Sequence, residues 1–183
     1  DRNKKIIFTS KGRTALYIIL KYLFKTTKKQ QVIMSPFTIF DLVNIVIAAG
    51  TKPLFIDHKK NSFEMDYDKI KNIIKKNKNI SAIICTHYCL NSENFLKLKS
   101  LCKNKNIKII QDCAIAASSQ YKNKSLANFS DYSFFSFNLF KFIPALTGGA
   151  IVSSDKKMIH FANQEQKNYK LFSFFDLIFV QLK

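Results

Sequence analysis

Short apolar segments alternate along the chain with longer amphipathic stretches, and this alternation constrains the fold more than any other feature. The apolar segments have the length of buried strands: residues 31–34, 53–56, 81–85 and 107–111. The stretches between them have the apolar spacing of helices: residues 13–25, 38–49, 66–76 and 92–104. Elements in this order predict a three-layer α/β/α fold, in which helices cover both faces of a mostly parallel sheet.

Residues typical of helix ends support these boundaries. Asp66 and Ser92 can accept hydrogen bonds from the first turn of a helix, and Gly50 is typical of the position after a helix end. Beyond these segments the sequence predicts three more elements: strands at 131–137 and 149–153, and a helix that begins at Asp155.

The length of 183 residues and a hydrophobic content of 47% fit one packed domain. We expect residues 1–170 to form it, incomplete at the N-terminal edge. Residues 171–183 are rich in Phe and Leu but too short to span a bilayer, so we expect them to begin a missing region. No charged-then-apolar leader precedes Asp1, so we expect no signal peptide, and a start of this kind is also consistent with a cut chain. We expect a cytoplasmic protein without a transmembrane segment.

The formal net charge is +18, and Arg2 and Arg13 are the only arginines. Proteins that read nucleic acid usually rely on arginine, because its planar group forms paired hydrogen bonds. Lysines spread along the chain are typical of solvated helix faces. We therefore expect no nucleic-acid partner, and a polyanion or membrane surface stays open as the alternative.

The four cysteines lack the paired spacing of a zinc site, so no metal site is predicted. Cys85 and Cys113 lie within or directly after apolar segments, where a free thiol behaves as a small hydrophobic group. This pattern is typical of reduced thiols in the cytoplasm.

Two residues are the main candidates for chemistry. Asp112 directly follows a predicted buried strand, at the end where open α/β sheets bind ligands, although a helix cap or structural ion pair is an equal alternative. Lys141 has strongly apolar neighbours, and desolvated lysines act as nucleophiles and form Schiff bases. A lysine that extends its amine into solvent is the commoner alternative.

Weaker signals lie nearby. Gly12, Arg13 and Thr14 precede an apolar helix, whose first N–H groups could bind a phosphate, although an ordinary helix cap has the same pattern. His87 and Tyr88 follow a predicted strand and could line a pocket. No G-x-S-x-G motif is present, which argues against a serine hydrolase.

Taken in order, these segments resemble the DegT/DnrJ/EryC1/StrS family of sugar aminotransferases, which depend on pyridoxal 5′-phosphate (PLP). The similarity covers about residues 12–168. The motifs that carry it are GRTAL at 12–16, VIMSPF at 32–37, GTKPLFID at 50–57, IIQDCA at 109–114, SFNLFK at 136–141 and GGAIV at 148–152.

The resemblance implies the PLP-binding large domain, with the C-terminal small domain absent, and it implies a role for each matching residue. Lys141 would be the Schiff-base lysine and proton carrier, and Asp112 would pair with the pyridinium nitrogen. The remaining implied cofactor-binding positions are Gly12, Arg13, Thr14 and Ser136 at the phosphate, Ile39 over the ring and Ile115 near the ring hydroxyl.

The implied reaction transfers an amino group, usually from glutamate, to a nucleotide-linked keto-sugar, in cell-surface polysaccharide or amino-sugar biosynthesis. The implied assembly is a homodimer. The chain departs from the family pattern at Ile39, Ile115 and Ala117. A truncated or degenerate member that acts as a non-catalytic binding protein is therefore the alternative function.

Overall fold

In the computed structural model, the described residues are 3–86, 92–121, 123–141 and 143–169. Seven strands form one sheet, and a separate two-stranded hairpin lies between the fifth and sixth of them. The strands in chain order are β1 (Lys5–Thr9), β2 (Gln31–Met34), β3 (Lys52–Phe55), β4 (Ile80–Thr86), β5 (Lys108–Asp112), the hairpin strands β6 (Gln120–Tyr121) and β7 (Lys124–Ser125), β8 (Tyr132–Ser136) and β9 (Gly149–Ser153).

The order of strands across the sheet is β1-β9-β8-β5-β4-β2-β3. Strand β9 is antiparallel to both of its neighbours, and the other pairs are parallel. Six strands therefore run in one direction. We call the edge at which these six strands end the carboxyl edge, and the opposite edge the amino edge.

Helices cover both faces, which confirms the predicted three-layer α/β/α fold. The helices are α1 (Gly12–Thr27), α2 (Phe40–Ala48), α3 (Tyr67–Lys76), α4 (Ser92–Lys105), α5 (Lys156–Gln166) and a short 3₁₀ helix (Leu126–Phe129). Buried residues of α1, α2 and α5 form one apolar cluster with one sheet face. Residues of α3 and α4 form a second cluster on the other face.

Helix α1 is the most deeply buried of these helices because apolar residues occupy most of its circumference. Leu16, Ile19 and Leu20 are fully buried against the sheet. Burial of each such side chain contributes about 1.5–3 kcal/mol relative to its exposure. This packing fixes the position of the first turn of α1 at the carboxyl edge.

Capping agrees with the sequence at α3 and α5. Asp66 accepts hydrogen bonds from the backbone N–H groups of Asp68 and Lys69, at 3.0 and 3.2 Å. Asp155 caps α5 in the same way. Gly50 follows α2 with a φ of 81°, in the left-handed region that glycine adopts without strain.

Three differences from the sequence-based prediction concern the start of α2, strand β1 and the hairpin β6–β7. Helix α2 begins at Phe40 rather than at 38, because the backbone of Ile39 is extended. Strand β1 was not predicted, and neither was the hairpin β6–β7. The segment 171–183 and the pair His87 and Tyr88 lie outside the described residues. Every helix in the described ranges is too short or too polar to span a bilayer.

Candidate active site

Asp112 is the last residue of β5 and lies buried at the carboxyl edge, with 6% of its surface exposed. Its Oδ1 accepts a hydrogen bond of 3.0 Å from the backbone N–H of Ala114. Within the described part of the chain, this is the one hydrogen bond to the carboxylate. Burial raises the pKa of Asp112 to about 6, against smaller lowering effects of the Ala114 N–H and the charge of Lys141.

Lys141 lies at the same edge, in the connection between β8 and β9. Its backbone N–H donates a hydrogen bond of 2.9 Å to the carbonyl of Asn138, and the residue is half-buried. Its positive charge acts on the buried carboxyl of Asp112. The two predicted catalytic residues, 29 positions apart in the chain, therefore lie within electrostatic reach of each other.

The first turn of α1 packs directly against the end of β8. A Cβ on Gly12 would lie 2.8 Å from the Cβ of Ser136, so only glycine allows this approach. Gly149 closes the other side, since a Cβ there would lie 2.5 Å from the Gly12 nitrogen. Lys11 precedes the helix and makes no side-chain cap. The first N–H groups of α1 have no intrahelical acceptor and can bind an anion beside Ser136.

Side chains around this turn hold it in place. Arg13 forms an ion pair with Asp41 in the first turn of α2. The hydroxyl groups of Ser10 and Thr14 lie 3.1 Å apart, and the hydroxyl of Thr147 donates to the carbonyl of Ser10 at 2.9 Å. The side chain of Arg13 is thus engaged with α2, and the predicted phosphate contact of this residue rests on its backbone N–H.

Ile39 and Ile115 lie at the carboxyl edge, the first before α2 and the second after β5. They expose 57% and 50% of their surfaces, respectively. Other large apolar side chains of the same edge are exposed as well, namely Phe37, Phe40, Leu139 and Phe140. An apolar rim of this kind is typical of a binding surface.

Two features of this region were not predicted. The Ser35 hydroxyl lies 2.6 Å from Nε2 of His58, and the ring of Phe37 packs edge-on against His58 with centroids 6.2 Å apart. These contacts tie the segment before Ile39 to the connection after β3. Sequence offers no signal for them, because His58 lies in a polar stretch with no recognisable motif.

The neighbour of Asp112 in the chain is the second unpredicted feature. Gln111 points to the opposite sheet face and is fully buried, and neither polar atom of its side chain has a hydrogen-bond partner in the described part of the chain. Cys85, Cys102 and Cys113 are buried as free thiols, and burial raises the pKa of each to about 12. Cys85 and Cys113 therefore behave as the predicted small hydrophobic groups.

Solved structures of aminotransferases share this fold. PseC of Helicobacter pylori, an aminotransferase involved in the biosynthesis of pseudoaminic acid, matches with a TM-score of 0.79 and 23% identity, over 92% of this chain and 46% of its own. The PLP form of the putative sugar aminotransferase Spr1654 from Streptococcus pneumoniae matches with a TM-score of 0.75 and 23% identity, over 87% and 45%. The chain therefore shares its fold with these aminotransferases.

Sequence comparison narrows this class to a family. The profile of the DegT/DnrJ/EryC1/StrS aminotransferase family matches residues 2–168, and the chain belongs to this family.

Two curated relatives illustrate the similarity in sequence. A UDP-4-amino-4,6-dideoxy-N-acetyl-beta-L-altrosamine transaminase of Campylobacter jejuni subsp. jejuni serotype O:23/36 (strain 81-176) is 34% identical over 141 residues, 76% of this chain. The GDP-perosamine synthase of Escherichia coli O157:H7 is 32% identical over 160 residues, 85% of this chain. The chain spans 37% and 43% of the lengths of these relatives.

Proposed function

We propose that this chain is the PLP-binding part of an aminotransferase that transfers an amino group, usually from glutamate, to a nucleotide-linked keto-sugar. The observation that carries the proposal is the buried Asp112 carboxyl within electrostatic reach of Lys141 at the carboxyl edge. Membership of the family supports the reaction class. The named substrates of the relatives support a nucleotide-linked sugar as the acceptor and biosynthesis of amino sugars or surface polysaccharides as the setting.

The residues present fit PLP at both of its ends. The phosphate needs N–H donors and a close approach of the backbone, which the first turn of α1 and the glycine contact with Ser136 provide. The ring nitrogen needs an anionic partner shielded from water, and Asp112 is a buried carboxyl with one hydrogen bond among the described residues. Arg13 and Thr14 would hold the phosphate through backbone N–H groups, beside Gly12 and Ser136.

The chemistry follows from what each side chain can do. When bound, PLP supplies an electron sink next to the substrate carbon. Asp112 would hold a proton on the ring nitrogen, because a cation beside this carboxyl offsets its burial. The Nζ of Lys141 would act first as a nucleophile and then as the base and acid that move a proton at the substrate carbon. Ile39 and Ile115 would bound the ring.

We also propose that the active protein is a cytoplasmic homodimer. The exposed apolar residues of the carboxyl edge, Phe37, Phe40 and Phe140 among them, favour burial against a second copy. A second subunit would also exclude water from the site. Sedimentation equilibrium of the purified chain with and without PLP measures this assembly directly.

The test of the proposed function is a PLP titration of the wild type, a Lys141→Ala variant and a Lys60→Ala control. Lys60 is an exposed lysine of the same edge. We expect the wild type and the control to absorb near 420 nm with PLP and to retain its mass after borohydride reduction. The Lys141→Ala variant should do neither. A folded wild type that traps no PLP would contradict the proposal.

The alternative is a non-catalytic member of the family that binds a partner. Ile39 and Ile115 favour it, because these apolar side chains stand where the family has an aromatic ring and a polar group. The same titration separates the two functions. A stable, folded chain that neither turns yellow nor traps PLP would support the binding protein.

A further inference from the structure

We propose that the amino edge of the sheet is a docking surface for an anionic lipid bilayer, independently of the proposed catalytic function. Many lysines lie at the ends of the helices and the starts of the strands at this edge, and twelve of them define the proposed surface. We call them the amino-edge lysines: Lys5, Lys28, Lys29, Lys52, Lys75, Lys76, Lys78, Lys103, Lys105, Lys108, Lys156 and Lys157. Ten of them are exposed and two are half-buried.

Few negative charges offset these lysines. Two carboxylates, Asp131 and Asp155, lie at the amino edge of the described chain. Asp131 accepts a hydrogen bond from the backbone N–H of Ile109 at 2.9 Å and lies 3.4 Å from Nζ of Lys108. Asp155 caps α5 and accepts from two tyrosine hydroxyls. Within the described residues, Lys108 is the one amino-edge lysine in an ion pair.

The carboxyl edge is different, because its charges are balanced among the described residues. Six basic groups lie there: Lys11, Arg13, Lys59, Lys60, Lys69 and Lys141. Six carboxylates lie there as well: Asp41, Asp57, Glu64, Asp66, Asp68 and Asp112. A general enrichment of the chain in lysine would raise the charge of both edges. The concentration of charge at one edge points instead to a surface that meets an anionic partner.

The arrangement of the charges favours a bilayer over nucleic acid. The amino-edge lysines extend from Lys5 on one edge strand to Lys52 on the other, about 29 Å across seven strands spaced by roughly 4.8 Å. A broad array of point charges fits a plane of lipid phosphates, whose attraction acts within a Debye length of about 8 Å. None of these residues is an arginine, which most nucleic-acid readers use.

Aromatic side chains also argue against single-stranded nucleic acid, whose bases stack on exposed rings. The exposed phenylalanines of the described chain lie at or toward the carboxyl edge: Phe8, Phe37, Phe40, Phe55, Phe63 and Phe140. A molecule docked through the amino edge would therefore direct Asp112 and Lys141 away from the bilayer. The candidate active site would stay open to soluble substrates.

The experiment is co-sedimentation of the 183-residue chain with phosphatidylcholine vesicles that contain none or about 30% phosphatidylglycerol, at about 0.05 and 0.15 M salt. An edge variant replaces Lys75, Lys76, Lys78, Lys103 and Lys105 by Gln. A matched control variant replaces Lys59, Lys60, Lys71, Lys99 and Lys124 by Gln, which lowers the net charge equally. Circular dichroism checks that both variants are folded.

We expect the wild type to bind the anionic vesicles and not the neutral ones. Binding to the anionic vesicles should be weaker at the higher salt concentration. The edge variant should bind roughly 100-fold more weakly and the control variant less than about threefold. Equal losses in the two variants, or equal binding to neutral vesicles, would overturn the proposal. So would tighter binding to duplex DNA than to anionic vesicles at the same phosphate concentration.

Discussion

The two edges of the sheet differ in where they place charge. At the carboxyl edge the charges are balanced, but burial disfavours the charged form of Asp112 and raises its pKa to about 6. At the amino edge the lysines stay in solvent and repel one another. A buried charge acts over a few ångströms and suits chemistry, whereas a field of exposed charges acts over a Debye length and suits docking. The carboxyl edge should therefore be the more sensitive to single substitutions.

We expect the largest effect on stability from a comparison of two Gly→Ala substitutions, one at each edge. Gly149→Ala would place a Cβ 2.5 Å from two backbone atoms, so we expect it to lower the free energy of unfolding by more than about 3 kcal/mol. At the amino edge, the nearest atoms to a Cβ at Gly50 belong to the flexible Phe24 ring, at 3.3 Å, and the φ of 81° adds about 1–2 kcal/mol of strain to Gly50→Ala. Urea unfolding measures both, and an equal loss in the two variants would contradict the comparison.

The next largest effect concerns Asp112 and pH. Its carboxyl titrates near 3.8 when unfolded and near 6 when folded, so the folded state binds more protons between these values. The stabilising contribution of this group is complete below about pH 4 and is lost as the pH rises through 6. In the absence of PLP, Asp112→Asn should match the wild type at pH 4 and exceed its stability at pH 7 by up to about 3 kcal/mol.

Asp131→Asn provides the control from the amino edge. Asp131 is partly exposed and paired with Lys108, so its loss should lower stability by less than about 1 kcal/mol at pH 7. Thermal unfolding of both variants at several pH values separates the cases. If the stability difference between the wild type and Asp112→Asn did not change between pH 4 and 7, burial of Asp112 would not raise its pKa.

The elements that the sequence predicts are those with an uninterrupted apolar pattern. Strand β5 has four buried residues in succession, and its apolar run is visible in the sequence. Strand β1 is an edge strand in which Ile6 and Phe8 are exposed and Ile7 is buried, so its short apolar run gives too weak a pattern to predict a strand. The antiparallel direction of β9 is likewise invisible, because strand direction leaves no periodic pattern in the residues.

The sequence predicts those candidate site residues that their own neighbours in the chain mark out. Asp112 follows a strand directly, and Lys141 is surrounded by apolar residues in the sequence itself. The contacts that hold the site join distant residues, such as Arg13 with Asp41, 28 positions apart. Pairing of this kind depends on how helices pack, and no local pattern encodes it. Whether these residues bind PLP stays a prediction.

A smaller effect on stability is expected at Gln111, the other buried polar residue at the carboxyl end of β5. Gln111 is buried without a hydrogen-bond partner among the described residues, and desolvation of such a group costs about 1–3 kcal/mol. Gln111→Met keeps the shape and removes the polar atoms, so we expect a gain of about 1 kcal/mol in the free energy of unfolding. A loss of stability on this substitution would show that the carboxamide has a partner, such as a buried water.

The smallest effect tests repulsion at the amino edge. Because the amino-edge lysines repel one another, screening by salt should stabilise the wild type by less than about 1 kcal/mol between 0.01 and 0.15 M, as the Debye length falls from about 30 to 8 Å. Substitution of Lys75, Lys76, Lys78, Lys103 and Lys105 by Gln removes part of this repulsion, so the melting temperature of that variant should depend less on salt. The control variant with five Gln substitutions elsewhere should keep more of the dependence. If the melting temperatures of both variants depend on salt equally, the repulsion arises from the net charge of the whole chain. The two edges then do not differ in the way proposed.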